Sequence, residues 1–147
     1  MATTNLRAPI LALAMLLTTA CATTSGNAEQ NFDTCLITNM AAVEMLNADI
    51  AETEEFLTRA RMTAEAYQSI QSNLARDREA IANLLALRAV MLRDDHLDDS
   101  EQAARTASLM RAYSSGADAA IAKARADEIP AADLAAIATS CAESLAA

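Results

Sequence analysis

The chain has 147 residues, of which 53% are hydrophobic, enough for one modest core. Twenty Asp and Glu against 11 Lys and Arg leave a formal net charge of −9. That balance excludes general binding to DNA, RNA or anionic lipid, which needs clustered Lys and Arg; here the basic residues come in scattered pairs such as Arg59 and Arg61, Arg76 and Arg78, and Lys123 and Arg125.

The N-terminus carries Arg7 and no acidic residue before an apolar run, Ile10 to Leu17. This is the n-region and h-region pattern of a secretory signal. The run is shorter than the roughly 20 residues that span a bilayer, and Pro9 would disturb a longer helix. Leu17-Thr18-Thr19-Ala20-Cys21 then resembles the lipobox of bacterial lipoproteins. Ala20 and Cys21 match that pattern; Thr18 stands where Leu is usual, and Leu17 lies one position early. The resemblance covers the leader only. It implies cleavage before Cys21, acylation of Cys21, and anchoring of the mature chain to a membrane. Ala22 after the Cys, rather than Asp, implies sorting to the outer membrane in a two-membrane bacterium. Several acyl chains on one N-terminus give stable anchoring, where a single chain is marginal.

Ordinary signal cleavage also fits. Ala20-Cys21-Ala22 supplies the small-any-small pattern, with release before Thr23, and a cut near Ala28 is a further option. The expected organisation is a signal peptide at 1–20, a small polar tether at 21–30 and a single helical domain at 31–147. Removing residues 1–20 leaves 10 basic and 20 acidic residues, a net charge of −10.

Either route leaves Cys35 and Cys141. An even pair in an oxidising compartment predicts a disulfide; the alternative is two separately buried thiols. Their separation suits neither a redox CxxC motif nor a metal knuckle.

No Gly occurs between Gly26 and Gly116, and after Pro9 the only Pro is Pro130. Ala, Leu, Met, Glu, Arg and Gln dominate, all strong helix formers. Strand-type alternation is absent. The predicted fold is all-α, a small antiparallel three- or four-helix bundle stapled by a disulfide. The first helix is expected from about Phe32 or Asp33, with Cys35, Leu36, Met40, Val43, Leu46 and Ile50 on one face. Asn47-Ala48-Asp49 either breaks it or is crossed on the way to Arg61, with Thr53 and Thr58 as candidate restart caps. A second stripe runs through Tyr67, Ile70, Leu74, Ile81 and Leu84, interrupted at Asp77 or Arg78. From Leu84 to Leu92 apolar residues become nearly continuous, which suits central burial or a surface for another protein. Leu84, Leu87, Met91 and Leu92 are the candidate interaction residues.

Asp94 to Ser100 interrupts the pattern. Asp98, Asp99 or Ser100 can cap the next helix, and Asp99 with Gln102 has capping-box spacing. That helix runs through Met110, Tyr113, Ala117, Ile121 and Ala124, with a bend expected at Ser114-Ser115-Gly116. Pro130 opens a final helix bearing Leu134, Ile137, Cys141 and Leu145. In an up-down four-helix arrangement Cys35 and Cys141 share one end of the molecule.

His96 is the only His and sits among Asp94, Asp95, Asp98 and Asp99. Carboxylates with an imidazole can hold a divalent cation. The spacing fits no calcium-hand or HExxH pattern, so capping and solvation are the default, and His96, Asp94 and Asp98 are weak metal candidates only. Glu52, Glu54, Glu55 and Glu65 form a charged helical surface. No nucleophile elbow, Gly-rich phosphate loop or haem-attachment motif is present, and no cofactor is expected. The sequence therefore points to an exported, non-enzymatic cell-envelope protein with a structural or protein-interaction role, outer-membrane-anchored or soluble in the periplasm, with another envelope protein as partner. The alternative is a periplasmic small-molecule or metal-binding module, with a pocket lined by Tyr67, Met110 and Tyr113.

Overall fold

The computed structural model describes residues 27–147, which form four helices and no strand. The leader and Cys21 lie outside the described residues. Helix α1 spans Asn27–Arg59, α2 Ala64–Leu92, α3 Asp99–Ala126 and α4 Ala131–Ala146.

Helix α1 begins five residues before the expected start, within the expected tether. Ala28, Glu29 and Gln30 are residue types of high helix propensity. The helix passes through Asn47-Ala48-Asp49 without a break because all three are exposed while Met45, Leu46 and Ile50 hold the buried side. Polar residues on the outward face leave the backbone ladder intact. Thr53 and Thr58 are interior to α1; the true restart cap is Thr63, whose hydroxyl accepts from the Ala66 amide at 3.2 Å.

Helix α2 is likewise continuous across Asp77 and Arg78. At its end the Leu92 carbonyl accepts from Gln102 Nε2 at 2.9 Å and Arg105 at 2.8 Å, so side chains of α3 satisfy a terminal acceptor of α2. The capping box lies one residue earlier than its Asp99–Gln102 expectation. Asp98 accepts from the Ser100 and Glu101 amides, and Glu101 accepts from the Asp98 amide. Gln102 is thereby free to bridge back to Leu92 and to the Asp94 amide.

Helix α3 runs straight through Gly116, which is a contact rather than a bend. A Cβ there would lie 2.8 Å from Ile37 Cδ1 and 3.2 Å from Ile37 Cγ1. The absent side chain lets α3 approach α1. At the end of α3, the Glu128 amide donates to Arg125 and the Ile129 amide to Ala124. This is a Schellman closure, and Glu128 (φ 54°) occupies the left-handed position that usually takes Gly. Ile129 then packs against the core. Pro130 stands immediately before the first residue of α4 and cannot extend α3.

Helix α1 is the hub: it packs against the other three, α2 also meets α4, and α3 lies chiefly on α1. Partners 39 with 84 and 54 with 78 set α1 and α2 antiparallel, while 33 with 113 and 37 with 116 set α1 and α3 parallel. The core combines Ala41, Ala42, Met45 and Leu46 with Leu84, Ile121, Ala124, Leu134, Ala135 and Ala138. Each Ala buries little area, so cohesion depends on close helix approach. Cys35 and Cys141 form a disulfide with Cα atoms 5.4 Å apart, tying the start of α1 to the end of α4. None of the described helices is long and apolar enough to cross a membrane.

Candidate functional site

Two polar constellations are built by the packing of α1 on α2. The first is internal. Asn39 is fully buried. Its Nδ2 donates to the Leu84 carbonyl at 2.9 Å, and its Oδ1 accepts from Arg88 Nε at 2.7 Å. Burial pushes the Arg88 guanidinium below its ordinary pKa, although an arginine side chain remains charged in proteins. The Asn39 side chain therefore solvates a half-buried cation and pins the register of the two helices together.

The second is a half-open cleft of about 390 Å³ lined by Asp49, Glu52 and Thr53 of α1 and by Ile70, Asn73, Leu74 and Asp77 of α2. Asp49 is pushed above the ordinary aspartate pKa, first by the partial desolvation of its carboxylate at the cleft, then by the charges of Asp77 and Glu52; Arg125 opposes them. Such a cleft favours positive charge and retains a proton into less acidic solution than a free carboxylate does. Among the described residues no group of three His, Cys, Asp or Glu has metal-holding geometry.

The sequence-predicted residues are distributed as follows. Leu84 and Leu92 are buried at 1% and 2% exposure, and Leu87 and Met91 are half-buried. The expected interaction surface is therefore not one exposed face: its two strongest members complete the core beneath α2. Of the four glutamates, only Glu52 reaches the cleft. Glu54 pairs with Arg78, Glu55 pairs with Arg59, and Glu65 lies in the first turn of α2. His96 is exposed in the α2–α3 turn, its amide held by Asp94 Oδ1, while Asp98 is committed to capping and Asp95 pairs with Arg93. It sits about 20 Å along α2 from the cleft. The expected Tyr67–Met110–Tyr113 pocket does not form. Tyr113 donates to Asp33 near the start of α1, while Tyr67 is exposed near its far end, on the order of 40 Å away.

The cleft itself is not legible in the sequence as a site. Its signal was present: Asp49 belongs to the Asn47-Ala48-Asp49 interruption of the first apolar stripe, and Asp77 interrupts the second. Only the pairing of α1 with α2 brings the two interruptions face to face. No protein-family model, curated protein or solved structure matches this chain.

Proposed function

We propose that this protein is an exported, non-enzymatic module of the cell envelope, anchored through acylated Cys21 and serving a structural or protein-interaction role. The observation that carries the reading is the Cys35–Cys141 disulfide taken together with the leader. A structural disulfide persists in oxidising compartments and is rare in the cytosol, so it supports the export that the first 20 residues suggest. The form of the molecule suits an anchored module. Helix α1 has 33 residues, a rod of about 50 Å. An anchor just before it would hold the α1–α2 loop well away from the membrane surface.

Intact-mass analysis of the protein from fractionated cells tests this. The expected product begins at acylated Cys21, partitions with membranes, and contains no free Cys35 or Cys141 thiol; Cys21→Ser moves it to the soluble fraction. An unlipidated product beginning at Thr23 removes the anchor. Two free thiols in freshly trapped protein remove the export.

A further inference from the structure

The buried side of α2 leaves an uncharged, mostly apolar face directly behind it. At about 100° per residue, Ala82, Asn83, Ala86, Ala89 and Val90 point within about 60° of one direction, opposite Leu84. All five are exposed, Val90 at 65%, and Leu85 flanks them at 45%. Arg88, the one charged residue between Glu79 and Arg93, turns inward to Asn39. The face is thus uncharged along its length and ends in opposite charges. Glu79 and Arg93 are both exposed, on the same side, and each is seven positions from Ala86.

This pattern is complementary to itself. We propose that two copies of the chain associate through this face, with their α2 helices antiparallel and crossing near Ala86. Reversal about Ala86 sets Glu79 against the other copy's Arg93 twice and Val90 against Ala82 twice. A parallel pairing would set like charges together, so the charges choose the direction. The rest of the surface is strongly acidic, and an uncharged strip with opposite ends is where two such bodies meet without repulsion. Arg93 pairs with Asp95 in the single chain, but both side chains are about three-quarters exposed, and such a pair holds Arg93 only weakly. The interface is small, so a weak, reversible dimer is expected. The inference does not depend on the export reading.

Sedimentation equilibrium of the full-length chain from about 10 μM to about 1 mM, the range a small interface populates, tests it. The expected result is a monomer–dimer equilibrium that Val90→Glu abolishes. Glu79→Arg and Arg93→Glu should each weaken it on the order of tenfold, since both end contacts become repulsive. An equimolar mixture of these two variants should regain association as a heterodimer, because both end contacts are then attractive. All three sites are exposed, and circular dichroism confirms that the variants fold. A wild-type monomer across the whole range, a dimer indifferent to Val90→Glu, or a mixture no tighter than its components each overturns the proposal.

Discussion

Cutting the Cys35–Cys141 bond should lower stability substantially while leaving the fold recognisable. The bond closes a loop with a sequence separation of 106. In the chain-entropy account that length corresponds to about 4.8 kcal/mol at 25 °C, and measured bonds commonly deliver about 2–4 kcal/mol. Unfolding entropy near 2.1 cal/mol/K per residue gives about 250 cal/mol/K for a body of this size, so each kcal/mol moves Tm by about 4 °C. A loss of about 2–5 kcal/mol therefore lowers Tm by about 8–20 °C. The perturbation is Cys35→Ala with Cys141→Ala, alongside reduced wild-type protein. Helical circular dichroism during urea titration and heating is the assay, since the chain has no Trp. The urea m-value should rise as well, because the unbridged unfolded chain exposes more surface. A reduced protein whose Tm falls by less than about 4 °C, with an unchanged m-value, would refute the claim that this bond limits the unfolded ensemble.

Asn39→Leu should cost about 2–3 kcal/mol in urea unfolding, since it strands the half-buried Arg88 donor; adding Arg88→Met should recover most of that, and strict additivity of the two losses would contradict the Asn39–Arg88 linkage. Asp49 has a raised folded pKa, so its penalty is absent below the ordinary aspartate value of about 3.9 and grows as pH rises through the folded pKa. Asp49→Asn should therefore stabilise the protein near neutral pH, by less than about 1 kcal/mol for this exposed site, and the gain should vanish in acid; a gain independent of pH would exclude the electrostatic cause. Gly116→Ala should lose about 1 kcal/mol net, the overlap with Ile37 outweighing the helix-propensity gain, whereas pairing it with Ile37→Val should stabilise relative to Ile37→Val alone. Glu128→Gly should raise stability by up to about 1 kcal/mol by relieving the left-handed backbone, and a lower Tm would show that the Glu128 side chain contributes more than its backbone costs.

The helical class and the Cys35–Cys141 pairing were legible in the sequence, as were the buried Cys35, Leu36, Leu46 and Ile50 of α1 and Leu134 of α4; the buried alanines of both helices were not, because Ala is spread so evenly along them that its inward and outward positions look alike. Periodic apolar residues and the lack of Gly and Pro dictate helix wherever the chain is read locally. Element boundaries were less legible because they depend on which side chains reach which orphan backbone groups. Asp98, one of three candidate caps, closes the α3 capping box with Glu101 rather than Asp99 with Gln102, and Thr63 rather than Thr53 or Thr58 caps α2. Asp49, Asp77 and Gly116 were each visible as breaks in a pattern: Asp49 as a candidate helix break, Asp77 as an interruption of an apolar stripe, and Gly116 as part of a candidate bend. All three instead lie within continuous helices.

What the sequence determined alone was the local conformation: three or four helical stretches with an apolar stripe each, an even pair of cysteines, and an acidic solvated exterior. Tertiary structure decided what those stripes face. Only packing places Leu84 and Leu92 in the core and leaves Leu85 and Val90 outside. Only the α1–α2 register joins Asn39 to Arg88 and Asp49 to Asp77 across separate helices. The physical reason is that periodicity specifies direction around one helix axis, whereas a site requires relative position between two. In an Ala-rich bundle that position rests on a few contacts far apart in the chain, such as Gly116 against Ile37.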